Sequence, residues 1–309
     1  MGTVLEEDDV LARAAVAASV ISLATPQHAA TARPETQPAT VLTFNIRFGT
    51  AKDGVNSWVA RRGMLFDVMR QADADLVGLQ EALDFQIDEI VAAVPGYGVV
   101  GVGRDDGRRA GEYAAILFRA ARFRVSDAGT FWFSDTPAVP GSKWWGNNVT
   151  RICTWARFVD ASGLTFWHYN VHLDHESQPS RERSTALLRQ RIDARASAHE
   201  PVIVTGDFNV GESNAALIPL LGARNLGDAG APGAPFVDTF RIRHRQDRDV
   251  GTFTGFTFGK IDGDKIDYVL VQPGIEVLSS GILHNSRDGR YPSDHFPVVA
   301  RVLLKAPSP

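Results

Sequence analysis

Six short apolar segments, each closing on a carboxylate, an amide or an imidazole, limit the folds open to this chain more than any other feature. Residues 41–46 alternate as a strand, with Leu42, Phe44 and Ile46 on one face and Asn45 on the other. Residues 76–79 form a short buried strand that runs into Gln80-Glu81. In Tyr169-Asn170-Val171-His172-Leu173-Asp174-His175 the polar residues Asn170, His172 and Asp174 recur at i, i+2. Val202-Ile203-Val204-Thr205 leads into Gly206-Asp207-Phe208-Asn209, Asp267 lies between Ile266 and Tyr268, and Asp294-His295 opens the last apolar run. Gathered at one sheet edge, such segment ends bring carboxylates, amides and imidazoles together from distant parts of the chain.

The segments between them alternate in period. Ser57 caps an expected helix through about residue 71, with Leu65, Val68 and Met69 at helical spacing, and a second helix covers 84–93 before Pro95-Gly96. Strands are expected near 97–103, 112–119, 122–133, 151–160 and 164–172, the last two joined by the hairpin turn Ala161-Ser162-Gly163. An Arg-rich helix at 179–198 and a short helix at 213–221 follow, then a Gly- and Pro-rich stretch at 222–263 that reads as a functional loop region. Strands near 265–271, 275–283 and 295–304 finish the chain. Strands dominate, with helices between some of them, so an α/β sandwich is expected rather than a purely parallel sheet.

With 309 residues, 44% of them hydrophobic, the chain can bury a large core, and 40–309 read as one domain. No apolar stretch approaches a membrane span. Residues 14–24 have the length of a signal-peptide core, and Ala30-Thr31-Ala32 offers a small-x-small cleavage pattern. The acidic start Glu6-Glu7-Asp8-Asp9 is at odds with that, unless the native start lies near Val10 and Arg13 supplies the leading charge. The expectation is a secreted or cell-envelope protein beginning near Arg33, with residues 1–39 as signal peptide and linker; a disordered leader on a cytoplasmic protein is the alternative. Cys153, the single cysteine, excludes an intrachain disulfide and reads as a small buried hydrophobe. Without residues 1–32 the chain carries 31 basic and 32 acidic residues, which gives no support to tight non-specific DNA binding.

The polar groups have a chemistry. A carboxylate beside an amide, as in Asp207 and Asn209 on an extended strand, positions a water and a phosphoryl oxygen or holds a hard cation. An Asx turn at a strand end is the structural alternative. Glu81 with Asn45 suits Mg²⁺, which takes few protein oxygens and keeps several waters. Asp267 within a strand is costly unless paired, and His295 is a suitable partner, held in one tautomer by the carboxylate.

As a set, Thr43-Phe44-Asn45-Ile46-Arg47, Leu79-Gln80-Glu81, Asn170-Val171-His172-Leu173, Gly206-Asp207-Phe208-Asn209, Lys265-Ile266-Asp267-Tyr268 and Ser293-Asp294-His295 resemble the endonuclease/exonuclease/phosphatase superfamily over residues 40–304. The resemblance implies a four-layer α/β sandwich, two mixed β-sheets packed face to face and flanked by helices. It implies a metal site at Glu81, with Asn45 beside it and Asp294 nearby, for Mg²⁺ with Mn²⁺ as a substitute. Asp207 and Asn209 would orient water and the scissile phosphate, and His295 would contact the phosphate, supported by Asp267. His172 matches an additional histidine of some branches, with Glu112 as its carboxylate partner. Arg151 and Asn170 would bind substrate phosphate.

The expected function is therefore a Mg²⁺-dependent phosphoesterase, a monomer cleaving a phosphodiester or a phosphomonoester. A nuclease on DNA or RNA and a lipid or inositol phosphate hydrolase share this chemistry, and a catalytically silent binding protein is the alternative of another class. Trp144, Trp145 and the segment Thr252-Phe253-Thr254-Gly255-Phe256 offer aromatic surfaces for a base, sugar or lipid, or simply anchor loops. Arg241, Arg243, Arg245 and Arg248, diluted by Asp247 and Asp249, read as a solvated charge run, and Gly101-Val102-Gly103 and Asp262-Gly263-Asp264 as turns.

Overall fold

The computed structural model describes residues 37–223 and 234–305; the expected export segment lies outside the described residues. Strand β1 (Ala39–Asn45) pairs in parallel with β2 (Leu76–Gln80) and antiparallel with β12 (Val298–Leu303). With β3 (Tyr97–Val100), β4 (Ile116–Arg119) and β11 (Glu276–Ile282) they form a six-stranded sheet of order β11-β12-β1-β2-β4-β3. A second six-stranded sheet comprises β5 (Phe123–Trp132), β6 (Ile152–Asp160), β7 (Thr165–His172), β8 (Val202–Asp207), β9 (Val237–Asp238) and β10 (Asp267–Val271), in the order β5-β6-β7-β8-β10-β9. Here β7 and β8 are the parallel pair. Parallel neighbours need a crossover, which α1 (Trp58–Ala72) supplies between β1 and β2 and α3 (Gln178–Asp193) between β7 and β8.

Both sheets are mixed and both are covered. Leu65 and Met69 of α1, with Ile87 and Ile90 of α2 (Asp84–Ala93), pack on Leu42, Phe44, Val77 and Leu79. Leu188 and Ile192 of α3 pack on Tyr169, Val171, Val202 and Val204. The layer between the sheets holds Val41, Leu76, Phe158, Phe166, Ile203, Val269 and Val298. Helices, sheet, sheet and helix make the four-layer sandwich expected. Leu42, Phe44 and Ile46 face the helices, as their alternation predicts, and Asn45 faces the opposite sheet.

The inter-sheet layer changes character along its length, because alternate residues of each strand share a face. On β1 these run Ala39, Val41, Thr43, Asn45; on β7, Phe166, His168, Asn170, His172; on β8, Ile203, Thr205, Asp207. On antiparallel β10 the order reverses, from Val271 and Val269 back to Asp267. One end is apolar and the other polar. Gly78 of β2 sits at the changeover: a Cβ there would lie 2.2 Å from Thr205 Oγ1 and 2.4 Å from Asn170 Oδ1. The missing side chain is what lets the two sheets exchange hydrogen bonds at this level.

Several elements are shorter than the sequence suggests. Strand β3 ends at Val100 and β4 starts at Ile116; residues between form a loop tied by the Ala82–Tyr113 bridge. Strand β12 starts at Val298, directly after Pro297, which has no N–H for a ladder. Helix α3 begins behind Ser177, whose side chain accepts from Ser180 N, and stops at Asp193. Within the stretch read as irregular, β9 and α4 (Thr239–Arg243) add a sheet edge and one helical turn, while residues 224–233 lie outside the described set. Cys153 is a buried free thiol, as expected. No helix among the described residues is long and apolar enough to cross a membrane.

Candidate active site

The polar strand ends open into a cavity of about 780 Å³, lined among others by Arg47, Glu81, Arg151, His172, Asp207 and His295. Asp207, the last residue of β8 and 1% exposed, is the hub. Its Oδ2 accepts from Asn45 Nδ2 at 2.9 Å and lies 3.5 Å from His172 Nε2 and 3.8 Å from His295 Nε2. Its Oδ1 accepts from the main-chain N–H of Asn209 at 2.9 Å. That last bond is an Asx turn: the chain leaves the strand, Phe208 buries in the outer core, and Asn209 takes φ +52°. The Asx turn and the juxtaposition of Asp207 with Asn209 are thus one feature, although Asn209 is not extended as expected. Asn209 lines the cavity and its Nδ2 donates to Leu173 O at 3.0 Å.

The two histidines are held in opposite protonation states. Burial alone would lower the His295 pKa, but Asp267, whose Oδ2 is 2.9 Å from Nδ1, together with Asp207 and Asp294 raises it to about 10. The imidazolium form is the stable one at neutral pH. His172 is pushed well below the ordinary range, first by burial and then by the charges of Arg151 and Arg104. Arg151 Nη1 lies 2.8 Å from His172 Nε2; a guanidinium only donates, so this nitrogen accepts and Nδ1 carries the proton. Burial and repulsion from Asp267 raise the Asp207 carboxyl to about 7, against the pull of His295 and Asn45. Environments that push neighbouring groups apart in this way separate acid and base roles.

On the opposite wall Glu81 accepts from Asn45 Nδ2 at 3.1 Å and from Phe48 N at 3.1 Å. Arg47 reaches toward Glu81 at 4.0 Å and Asp294 at 3.8 Å while forming a two-pronged pair with Asp53. Burial first, and then Glu81, raise the Asp294 carboxyl above its usual range. Glu81 and Asp294 offer oxygen donors of the kind a hard divalent cation takes, on either side of Arg47. Of the seven non-glycine residues with positive φ among those described, Arg47, Glu81, Asn209 and Phe256 line the cavity. Such backbone costs about 1–3 kcal/mol per residue and clusters where side chains must be aimed.

Three expectations need correction. Asn170 does not line the cavity: its Nδ2 donates to Leu79 O and Ala115 O, and its Oδ1 accepts from Gln80 Nε2 and Thr205 Oγ1. An amide makes four such bonds at most, so none remains for a phosphate and Asn170 ties the two sheets together. Glu112 is 4.0 Å from His172 Nδ1, and its main partner is Arg104, at 2.7 and 2.8 Å. Asn45 lies where expected, but turns its NH₂ to the carboxylates while its Oδ1 accepts from Arg47 N. Trp144 and Trp145 lie outside the cavity lining, and Arg241 is bound to Glu212 rather than free in a patch.

Other residues arrive unannounced. Arg104, Asp53 and His175 line the cavity, His175 Nδ1 lying 2.8 Å from Arg151 Nη2. Arg104 and Asp53 stand in loops with no motif around them; only the adjacency of His175 to Asp174 hinted at its place. Phe253 is positioned by a Thr-Phe-Thr alternation in which Thr252 and Thr254 are buried, and its ring meets His295 edge-on at 5.1 Å. Asp207, Asp267 and His295 also lie close enough to hold a metal among themselves. Within that cluster His295 Nδ1 is bonded to Asp267 Oδ2 at 2.9 Å, and Nε2 faces Asp207 at 3.8 Å.

This arrangement places the chain in a class. The model of the endonuclease/exonuclease/phosphatase family matches residues 42–295, and the chain belongs to that family. Its members are phosphoesterases and nucleases that in general depend on a divalent metal. The chain is 30% identical to an endonuclease/exonuclease/phosphatase family protein from Bacteroides thetaiotaomicron, over 88% of this chain and 99% of that one, with a TM-score of 0.78. It is 31% identical to the mannosyl-6-phosphatase of the same organism, over 86% of this chain and all of that one, with a TM-score of 0.77. Among curated proteins, an uncharacterized protein, L388, of Acanthamoeba polyphaga mimivirus is 28% identical over 179 residues, which span 55% of this chain and 66% of the relative's length.

Proposed function

We propose that this protein is a Mg²⁺-dependent phosphoesterase that hydrolyses the phosphate ester of a small sugar. The observation that carries the reading is Asp207 set between His172 Nε2 at 3.5 Å and His295 Nε2 at 3.8 Å, in a cavity that Glu81 and Asp294 also line. Glu81 and Asp294 are the side chains that would hold the metal, with Asn45 alongside. When bound, the ion supplies Lewis-acid stabilisation of charge on the phosphoryl oxygens. Asp207 orients the attacking water and takes its proton as the new P–O bond forms. His295 donates to the phosphoryl group and Arg151, braced by His172 and His175, holds a second oxygen. The ester P–O bond breaks, phosphate is left, and the ester oxygen leaves as the alcohol, taking a proton from solvent water.

A sugar phosphate is favoured over a nucleic acid by the near balance of charge and by likeness to the mannosyl-6-phosphatase. Hydrolysis of hexose 6-phosphates, read as released phosphate, of bis-p-nitrophenyl phosphate, read as released p-nitrophenol, and of single-stranded DNA, read as fragments on a gel, with Mg²⁺ and with EDTA, tests the reading. Mg²⁺-dependent turnover of the hexose phosphate is expected. DNA cleavage alone would move the protein to the nuclease branch, and silence throughout would favour a binding protein on this scaffold. Export with cleavage near Arg33 belongs to the same proposal; N-terminal sequencing that found residues 1–9 intact would sink it.

A further inference from the structure

Arg61 of α1 is 1% exposed and is the bulkiest of the fully buried side chains, yet all its hydrogen bonds go to main-chain carbonyls. Nη1 donates to Ile46 O at 2.7 Å and to Pro292 O at 2.9 Å, Nη2 to Arg47 O at 2.8 Å, and Nε to Asn56 O at 3.0 Å. The first and third acceptors belong to the turn after β1, which carries Asn45, Arg47 and the N–H that meets Glu81. The second belongs to the turn before β12, which carries Asp294 and His295. These turns are 231 positions from α1 at the far end and meet only through the fold.

A buried cation without a hydrogen-bonded carboxylate is a costly filling for a core. Burial lowers the Arg61 pKa to about 10, with Asp294 and Asp53 opposing the fall. Arg61 nevertheless answers four main-chain carbonyls that an apolar side chain would leave unpaired. What only a guanidinium does is bind several carbonyls at once in a rigid plane. Arg47 O, which also accepts from Gln86 Nε2 at 3.1 Å, belongs to a residue at φ +55°. Two donors therefore hold the strained peptide that turns the Arg47 side chain toward Glu81 and Asp294. Ser293 Oγ adds a parallel tie, donating to Asn45 O at 2.7 Å.

We infer that Arg61 is a positioning residue that fixes the spacing between the Glu81–Asn45 wall and the Asp294–His295 wall of the site. The inference rests on the phosphoesterase reading for its catalytic consequence, but not for its structural one. Three variants separate the cases. Arg61→Lys keeps the charge and loses the fork, Arg61→Met keeps bulk alone, and Leu65→Ala weakens the same helix without touching either turn.

For Arg61→Lys the thermal transition should stay close to that of the unaltered protein. Amide exchange at Arg47 and Phe48 should accelerate about 10-fold, and calorimetric Mg²⁺ affinity should fall about 10-fold. Turnover should drop about 100-fold with KM little changed, as expected when reacting groups shift by about an ångström. Arg61→Met should exceed these losses, and Leu65→Ala should lower the transition temperature with none of them. Unaltered exchange and Mg²⁺ affinity in Arg61→Lys would overturn the inference, as would the same pattern in Leu65→Ala or failure of both Arg61 variants to fold. If the unaltered protein hydrolyses no ester, the phosphoesterase reading fails alone, and exchange and Mg²⁺ affinity still decide the role of Arg61.

Discussion

The two ends of the layer between the sheets are built from the same four strands, yet they hold the molecule together differently. At one end Val41, Phe166, Ile203 and Val271 meet as apolar surface. At the other, four to six residues along the same strands, Asn45, His172, Asp207 and Asp267 meet as an ionic cluster. Apolar contact is non-directional and tolerates small changes of shape. A buried charge persists only when a partner stands at hydrogen-bond distance, so the ionic end demands register. The link from Asn45 in one sheet to Asp207 in the other shows that demand being met across the sandwich, at 2.9 Å. One end supplies adhesion and the other supplies geometry.

Mutation should separate the two. Replacing Asp207 by Asn or His295 by Ala should lower turnover about 10³-fold or more with the fold retained, since each removes a proton-transfer or charge-stabilising group. Turnover and circular dichroism on the same samples check this; undiminished turnover in either variant refutes the assignment. At the apolar end, Phe166→Ala should reduce unfolding free energy by about 3–5 kcal/mol while turnover per folded molecule stays near normal. Denaturant titration reads the first and an assay well below the transition reads the second; a selective loss of turnover would mean the two ends are not separable.

Smaller effects sharpen the boundary. Glu81→Gln should weaken Mg²⁺ binding by about 10-fold or more, read by calorimetry, because one anionic oxygen is lost from the acidic wall. Gly78→Ala should cost about 1–3 kcal/mol by driving a methyl group into Thr205 and Asn170 at the changeover.

The smallest effect is on pH dependence without metal. The folded pKa of His295, about 10, lies above the ordinary value of 6.5, so its contribution is complete below pH 6.5 and is lost as pH rises through 10. Asp207, raised to about 7 from 3.8, contributes in the same sense and loses its share between pH 3.8 and 7. In EDTA, the transition temperature of Asp267→Asn should therefore fall less between pH 7 and 10 than that of the unaltered protein. Parallel curves would show that Asp267 does not hold the proton on His295.

Legibility in the sequence followed the type of signal. Helix α2 was readable to the residue at 84–93, and the face of β1 followed from alternation alone, because burial on one side imposes a period. Asp207, His172, Glu81, Asp267 and His295 were readable as a set because each ends or interrupts an apolar strand, where a polar group needs a reason. Asn170 carried the same signal and was misassigned. Its position two residues before His172 gives no hint that Gly78 stands opposite and lets the amide reach Leu79 and Ala115 in the other sheet. Arg104 and Asp53 sit in loops without periodicity, and the spacing of Leu65, Val68 and Met69 gives no sign that Arg61 is buried with them.

By itself the sequence determined the alternation of strands and helices, the sandwich class and the family, since these depend on local period and short motifs. Only the tertiary structure decided which polar groups face one another: that Glu112 turns to Arg104, that Arg151 fixes the tautomer of His172, and that Arg61 spans two turns of the site. The physical reason is range. Burial pattern is written in neighbours along the chain, whereas the protonation state of a buried group depends on charges within a few ångströms in space, contributed to His295 by Asp267 and Asp207, 28 and 88 positions away along the chain.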